Sequence, residues 1–281
     1  MDTALIVDTV QKRHSRSAAS GAAVCEHYED NVAVCPGREA ALKAFVSQTY
    51  GGRQHKRRHM KSSNSEDALT WSCFDTLSEL KGAPRTIALA GLWALAFDDK
   101  PAPAGFLNGE IHIGKKYGEA QEETEVDASI DGDKVLVFIE AKLYSPMSLA
   151  DLAKRKPHDQ IARKLRVGLK EAQRSEKVFY FIILDIAPKE ILRGLRPGAS
   201  LSDANQKPRG GFAGKWQTAY WFSRYRGVRG SLSPLREALK GISGVDAKNV
   251  ASNMGWLTWS DVFKAVLRAV IASPQLGEKL P

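Results

Sequence analysis

Two carboxylates and a lysine stand close together in an otherwise apolar part of the chain. They are Asp127 and, at the end of the run Val135-Leu136-Val137-Phe138-Ile139, Glu140-Ala141-Lys142. A charge at the end of an apolar strand is costly unless it is paired or bound to a metal. Strand alternation puts Glu140 and Lys142 on one face and Ala141 on the other. Thr124–Ile130 reads as the preceding strand and Asp131-Gly132-Asp133 as the hairpin turn. With Gly132-Asp133 as a two-residue turn, Asp131 pairs with Lys134 and Asp127 faces Phe138, so Glu140 is its diagonal neighbour. Diagonal Cβ atoms lie about 7–8 Å apart, a gap two carboxylates close around one cation. A three-residue turn would separate them onto opposite faces unless a bulge restored the parity. Mg2+ prefers one or two carboxylates plus water and phosphate. It lowers the pKa of a bound water and stabilises charge on a phosphoryl group, and a nearby lysine orients that water or neutralises developing charge. The set suits phosphodiester hydrolysis with Mg2+, for which Mn2+ would substitute.

The elements that must position these groups are legible from apolar spacing. A helix is expected to begin near Ser63–Ser65, with Leu69, Cys73, Leu77 and Leu80 forming one stripe. Glu66 falls on that stripe, where an acid needs a partner; alternatively, Ser63-Asn64-Ser65-Glu66 is a capping box. A second helix, apolar nearly all round, is expected from Pro84 at its first position to Phe97. Phe106–Ile113 reads as a strand. Pro157 opens a helix carrying Ile161, Leu165 and Leu169, with Gln160 in its first turn, and Val178–Ile186 is a second fully apolar strand. Trp216–Tyr225 reads as a further strand, and Pro234–Ile242 and Trp259–Ile271 as helices. Two buried strands with helices between and around them describe a sheet sandwiched by helices.

In order as well as in motif, this stretch resembles the PD-(D/E)XK nuclease superfamily. Asp127, twelve intervening residues and Glu140-Ala141-Lys142 are preceded by an acid-bearing helix and followed by a helix and an apolar strand. The resemblance covers residues 63–186. It implies a restriction-endonuclease-like α/β (α+β) fold, an α/β/α sandwich with a central mixed sheet flanked by helices. It implies Asp127 and Glu140 as metal ligands, the Ala141 carbonyl as a third, and Lys142 as the catalytic lysine. Glu66, a further acid beside the metal, and Gln160 are then supporting site residues. Val126 replaces the proline of the motif's name, and the helix Pro84–Phe97 is an insertion. The region Trp256-Leu257-Thr258-Trp259 resembles uncharacterised bacterial stand-alone members. The plain alternative for the motif is a surface salt bridge at a strand end.

The chain of 281 residues carries 41 Lys+Arg against 32 Asp+Glu, a formal net charge of +9, which favours a polyanionic partner. Lys154, Arg155, Lys156, Arg163, Lys164 and Arg166 cluster near the motif, and Arg224 and Arg226 lie among aromatics. Such residues position a phosphate backbone while aromatic faces stack on bases; solvated helix faces are the alternative. The expected partner is DNA, and paired cuts on two strands would suit a homodimer. The expected activity is a Mg2+-dependent deoxyribonuclease in phage defence, restriction or mobile-element processing. A catalytically inactive nucleic-acid-binding subunit on the same fold is the alternative.

With 43% hydrophobic residues the chain can bury a sizeable core. No apolar run is long enough to span a membrane, and no basic segment followed by an apolar one marks a secretory signal. Three cysteines are too few for a disulfide framework, so a reduced, cytoplasmic protein is expected. Cys25, His27 and Cys35, with His55 or His59, fit no common zinc spacing. Residues 1–62 read as an extension ending in a flexible basic linker, Gly51–Lys61. Residues 63–190 read as the nuclease-like core, and 191–281 as a C-terminal part packed on the same domain.

Overall fold

The computed structural model describes residues 14–16, 22–49, 55–119, 122–145, 147–150, 157–189, 192, 213–228 and 230–273; for 14–16 and 213–216 it describes the backbone. Its centre is a five-stranded mixed sheet in the order β3 (Glu110–Tyr117), β4 (Thr124–Asp131), β5 (Val135–Ala141), β6 (Val178–Asp185), β7 (Met254–Thr258). The first three strands are antiparallel, and β5–β6 and β6–β7 are parallel. A parallel pair needs a crossover, and α5 (Gln160–Arg174) supplies the one from β5 to β6.

Helices cover both faces. On one lie α3 (Glu66–Glu79), α4 (Gly82–Ala96) and α9 (Trp259–Ile271), packed on Val135, Val137, Ile139, Ile182 and Leu184. On the other lie α5, α6 (Ala213–Arg226), α7 (Ser233–Ala238) and α8 (Ala247–Ser252), packed on Leu136, Phe138, Phe181 and Ile183. Every residue of β5 is buried, as expected of a strand covered on both faces. Burying each large aliphatic or aromatic side chain contributes about 1.5–3 kcal/mol, so the strand that carries Glu140 and Ala141 is firmly held between the two helical layers. No helix among the described residues is long and apolar enough to cross a membrane.

Residues ahead of α3 pack against it. After the short pair β1 (His14–Arg16) and β2 (Ala23–Cys25) come α1 (Glu39–Ser47) and α2 (Lys56–His59). Tyr28, Leu42, Phe45, Val46 and Met60 form a small core with Ala68 and Trp71 of α3. The stretch expected to be a flexible basic linker therefore holds a helical turn. Lys56 within it is buried, bonded to Glu125 of β4 and 3.9 Å from the centre of the Phe45 ring.

Several element readings shift. Phe106 is a core residue of a turn ahead of β3, its ring tilted against that of Trp93, not the start of a strand. Helix α4 begins two residues before Pro84, and α5 begins at Gln160 behind an Asp159 cap, not at Pro157. The segment Trp216–Tyr225 is helical: Ala219, Phe222 and Tyr225 enter the core at helical spacing, and this packing overrides the strand preference of aromatics. Strand β7 and α8 had no sequence expectation.

Candidate functional site

The β4–β5 register places Asp131 opposite Leu136 and Ala128 opposite Ile139. This is two residues away from the expected pairing, so parity is kept and Asp127 falls across from Glu140 rather than diagonal to it. The turn is wider because the Gly132 N–H donates to the Val135 carbonyl and Gly132 is pressed against Gly105.

Asp127 sits where the sheet turns over. Residues two apart on a strand normally share a face, yet Val126 enters the α5-side core and Ala128 the α4-side core. On β3, Ile113 and Tyr117 likewise pack on opposite sides. Between them lies Gly114, at φ +63, in the register position that faces Asp127. The Asp127 Oδ2 accepts the Ala141 N–H at 2.7 Å, which ties the reversal in β4 to the end of β5. The Ala141 methyl packs in the core on the other face, as alternation requires.

Glu140 is 1% exposed. Its Oε1 accepts from the Gln160 amide and lies 3.0 Å from Lys142 Nζ, and its Oε2 is bonded to Lys164 Nζ. Gln160 is held in turn by two bonds to Ser148: its backbone N–H donates to the Ser148 carbonyl, and its Oε1 accepts the Ser148 N–H. Lys142 is fixed through its backbone: its N–H donates to the Leu184 carbonyl and its carbonyl accepts the Trp259 indole N–H. Its ammonium reaches to 3.9 Å from Glu66 Oε2.

Glu66 does not close a capping box. Ser65 is the N-cap and accepts the Ala68 N–H, while Glu66 is the first helical residue. Its Oε1 instead accepts from the Leu143 N–H at 2.7 Å and from the Ser145 N–H and hydroxyl, so it fastens the segment that follows the motif. The structure thus brings Glu66, Asp127, Glu140, Lys142 and Gln160 together from α3, β4, β5 and α5.

The basic residues divide. Lys164, expected on a nucleic-acid surface, is 2% exposed and bonded to Glu140, because α5 turns this position toward the sheet. Burial pushes its ammonium down from the usual lysine value, against the pull of Asp127, Glu125 and Glu66. Arg166 is also buried; it pairs with Glu122 and donates to the carbonyls of Ala238 and Lys240, so it is no surface cation either. Arg163 is half-buried, and its guanidinium has no hydrogen bond or ion pair among the described residues. Arg224 is exposed, bonded to the Tyr220 hydroxyl and set over the Trp221 ring. Arg226 is half-buried and faces a separate hollow beside Asp98 and Lys189. Lys154, Arg155 and Lys156 lie outside the described residues.

An open cleft of about 430 Å³ lies over the acids, walled by Glu66, Asp67, Asp127 and Ser145 and by Arg58 and His59 of the segment ahead of α3. Burial pushes the Asp67 carboxyl up to about 6; Lys56 at 3.7 Å opposes this, and Asp127, Glu125 and Glu66 add to it. Burial, His55 and Arg58 lower the pKa of His59, against Glu66. The sequence marks Arg58 and His59 only as part of a basic run, with His59 in a poor zinc spacing, and Asp67 only as adjoining Glu66, since the wall forms only when α2 docks on α3. Cys25, Cys35 and Cys73 are buried free thiols. Among the described residues, no three His, Cys, Asp or Glu side chains form a ready-made metal-holding group. At the carboxylates, the ammoniums of Lys142 and Lys164 stand against Glu140.

No protein-family model, no curated protein and no solved structure matches the chain.

Proposed function

We propose that the cleft is the site of a metal-dependent nuclease acting on DNA. The observation that carries this reading is that Asp127 and Glu66 line the cleft and join a buried group: Lys142 lies 3.9 Å from Glu66 and 3.0 Å from Glu140, and Glu140 is buried among polar partners. Burying a carboxylate this deeply is costly, and a fold without a use for it would be as stable with an apolar residue there. The donor set suits a hard cation: it is all oxygen, and Asp127 Oδ1 accepts no hydrogen bond among the described residues. Asp127, Glu140 and Glu66 would hold Mg2+, which supplies Lewis-acid activation of water and stabilises phosphoryl charge. Lys142 places its ammonium against the scissile phosphate and neutralises the charge that develops there. Gln160 fixes the orientation of the Glu140 carboxylate through its bond to Oε1. Arg58, on the cleft wall, holds a neighbouring phosphate.

One observation favours a second reading, a nucleic-acid-binding subunit that does not cut: Glu140 already has two ammonium partners. A plasmid-cleavage assay separates the two. The nuclease reading expects nicked or linear product with Mg2+ or Mn2+ and none after chelation. Absence of cleavage of any DNA or RNA offered with either metal, with binding retained, overturns it in favour of the second.

A further inference from the structure

Helix α5 aims two side chains at one carboxylate. Gln160 and Lys164 are one turn apart on the same face, and they take different oxygens of Glu140: Gln160 bonds Oε1 and Lys164 bonds Oε2. Lys164 Nζ is also 3.9 Å from Asp127 Oδ2. It therefore stands between the two acids that the proposed function assigns to the metal. The position is not an incidental surface contact, since Lys164 is 2% and Glu140 1% exposed. A buried ammonium is tolerated only with close anionic partners; here these are Glu140 and Asp127, and the charges of Glu125 and Glu66 act in the same direction. Lys142 differs. It touches Glu140 through Oε1, on the side facing Glu66, and its backbone holds it at the strand end.

We propose that Lys164 is a built-in cation of the acid pair. Its ammonium holds Asp127 and Glu140 together while no ion is bound, and it competes with a divalent ion for Glu140. Two carboxylates facing each other without a cation repel. The lysine removes that repulsion in the empty protein, at the cost of weaker ion binding than the bare pair would show. Lys164 is then a positioning residue, and metal loading and folding are coupled through it. The inference rests on the proposed reading of the cleft only in taking Asp127 and Glu140 as the ion's ligands.

Calorimetric titration of the full chain with Mn2+, paired with thermal melts, tests it. Lys164→Met removes the charge and keeps the apolar stem, and Lys164→Gln is a second neutral variant that keeps a hydrogen-bond donor. Expected are metal-free melting temperatures below wild type, recovery of most of that loss with saturating Mn2+, and Mn2+ binding at least about tenfold tighter than wild type. Lys164→Arg, which keeps the charge, should not tighten binding. If wild type binds Mn2+ and both neutral variants bind it equally or more weakly, the inference is overturned while the nuclease reading stands. If wild type fails to bind at millimolar Mn2+ and the neutral variants do bind, Lys164 is the competing cation and the nuclease reading of the native chain fails. If none of them binds, both fail.

Discussion

Gly114 and Asp127 face each other across β3 and β4 at the place where both strands exchange their two faces. The reversal is what lets one hairpin fill both cores and still present a carboxylate at its bend. Gly114 adopts φ +63, and a Cβ there would lie 2.6 Å from the Phe45 ring and 3.0 Å from Lys56 Nζ. The glycine, the Lys56–Glu125 pair and the acid at the site are therefore one mechanical unit.

Gly114→Ala should accordingly destabilise the protein by about 1–3 kcal/mol, from backbone strain and overpacking together. Gly91 of α4 is the control. A Cβ at Gly91 meets nothing within 4 Å, so Gly91→Ala should stabilise by about 0.5–1 kcal/mol. Urea denaturation of both variants reads the contrast, and equal effects would mean that the β3–β4 reversal is not under steric constraint.

Arg166 should behave as a structural residue. Arg166→Ala leaves the Ala238 and Lys240 carbonyls without their donor and should cost about 1–3 kcal/mol, with no change in the salt dependence of DNA binding. Burial raises the Glu122 carboxyl pKa, but the hydrogen bonds and charges of Lys170 and Arg166 outweigh it and hold it below the usual glutamate value. Its contribution to stability is thus complete above the unfolded value and is lost as pH falls through the lowered one. Denaturation midpoints measured from neutral to strongly acidic pH should show that loss in wild type and less of it in Arg166→Ala.

Salt dependence should instead follow Arg58 on the cleft wall and the guanidinium of Arg163. Arg58 lines the cleft and is exposed, and the guanidinium of the half-buried Arg163 has no hydrogen bond or ion pair among the described residues. Each phosphate contact removed flattens the log–log slope by about 0.9 on duplex DNA. Arg58→Ala and Arg163→Ala should each show that flattening, read by fluorescence anisotropy across a salt series. Unchanged slopes for both would put the DNA-contacting surface elsewhere on the molecule.

How much of this was legible in the sequence depends on the range of the contacts. The β4–β5 hairpin, the apolar runs of β5 and β6 and the facing of Glu140 and Lys142 follow from alternation, which is local. The register was readable only to parity, because the width of the turn is set by Gly105, which docks on Gly132 from a distant loop. Arg163, Lys164 and Arg166 look alike as a basic run, yet helical rotation and packing from both sides leave Arg163 half-exposed and bury Lys164 and Arg166. Arg58 and His59 reach the cleft because the turn that carries them docks on α3 through Met60, packed with Ala68 and Trp71, and through Lys56 beside Asp67, contacts that no local pattern encodes.

Glu66 has two jobs that one pair of variants separates. Its Oε1 fastens Leu143 and Ser145, while its Oε2 faces Lys142. Glu66→Gln keeps a carbonyl oxygen for the loop and removes the charge. It should leave stability within about 1 kcal/mol and weaken Mn2+ binding. Glu66→Ala should lose both, with about 1–3 kcal/mol from the unsatisfied N–H groups. Calorimetric titration beside denaturation resolves the pair, and unchanged Mn2+ affinity in Glu66→Gln would confine Glu66 to its loop.

Lys142 should matter for chemistry far more than for binding or folding. Its backbone is held by Leu184 and Trp259, so substitution of the side chain leaves the strand end in place. Among the described residues, its ammonium is the one that reaches both Glu140, at 3.0 Å, and Glu66, at 3.9 Å. A single positioned electrostatic or acid–base group contributes about 10²–10⁴ in rate. Lys142→Ala should therefore slow single-turnover plasmid cleavage at least about a hundredfold while DNA affinity moves only a few-fold. Lys142→Gln, close in length but neutral, should be nearly as slow, which separates lost charge from lost packing. A lysine that served only to neutralise Glu140 would give a different pattern: a lower melting temperature and a cleavage rate close to wild type. Rates for both variants, measured beside their melts, decide between these roles, and wild-type rates in both would remove Lys142 from the catalytic set.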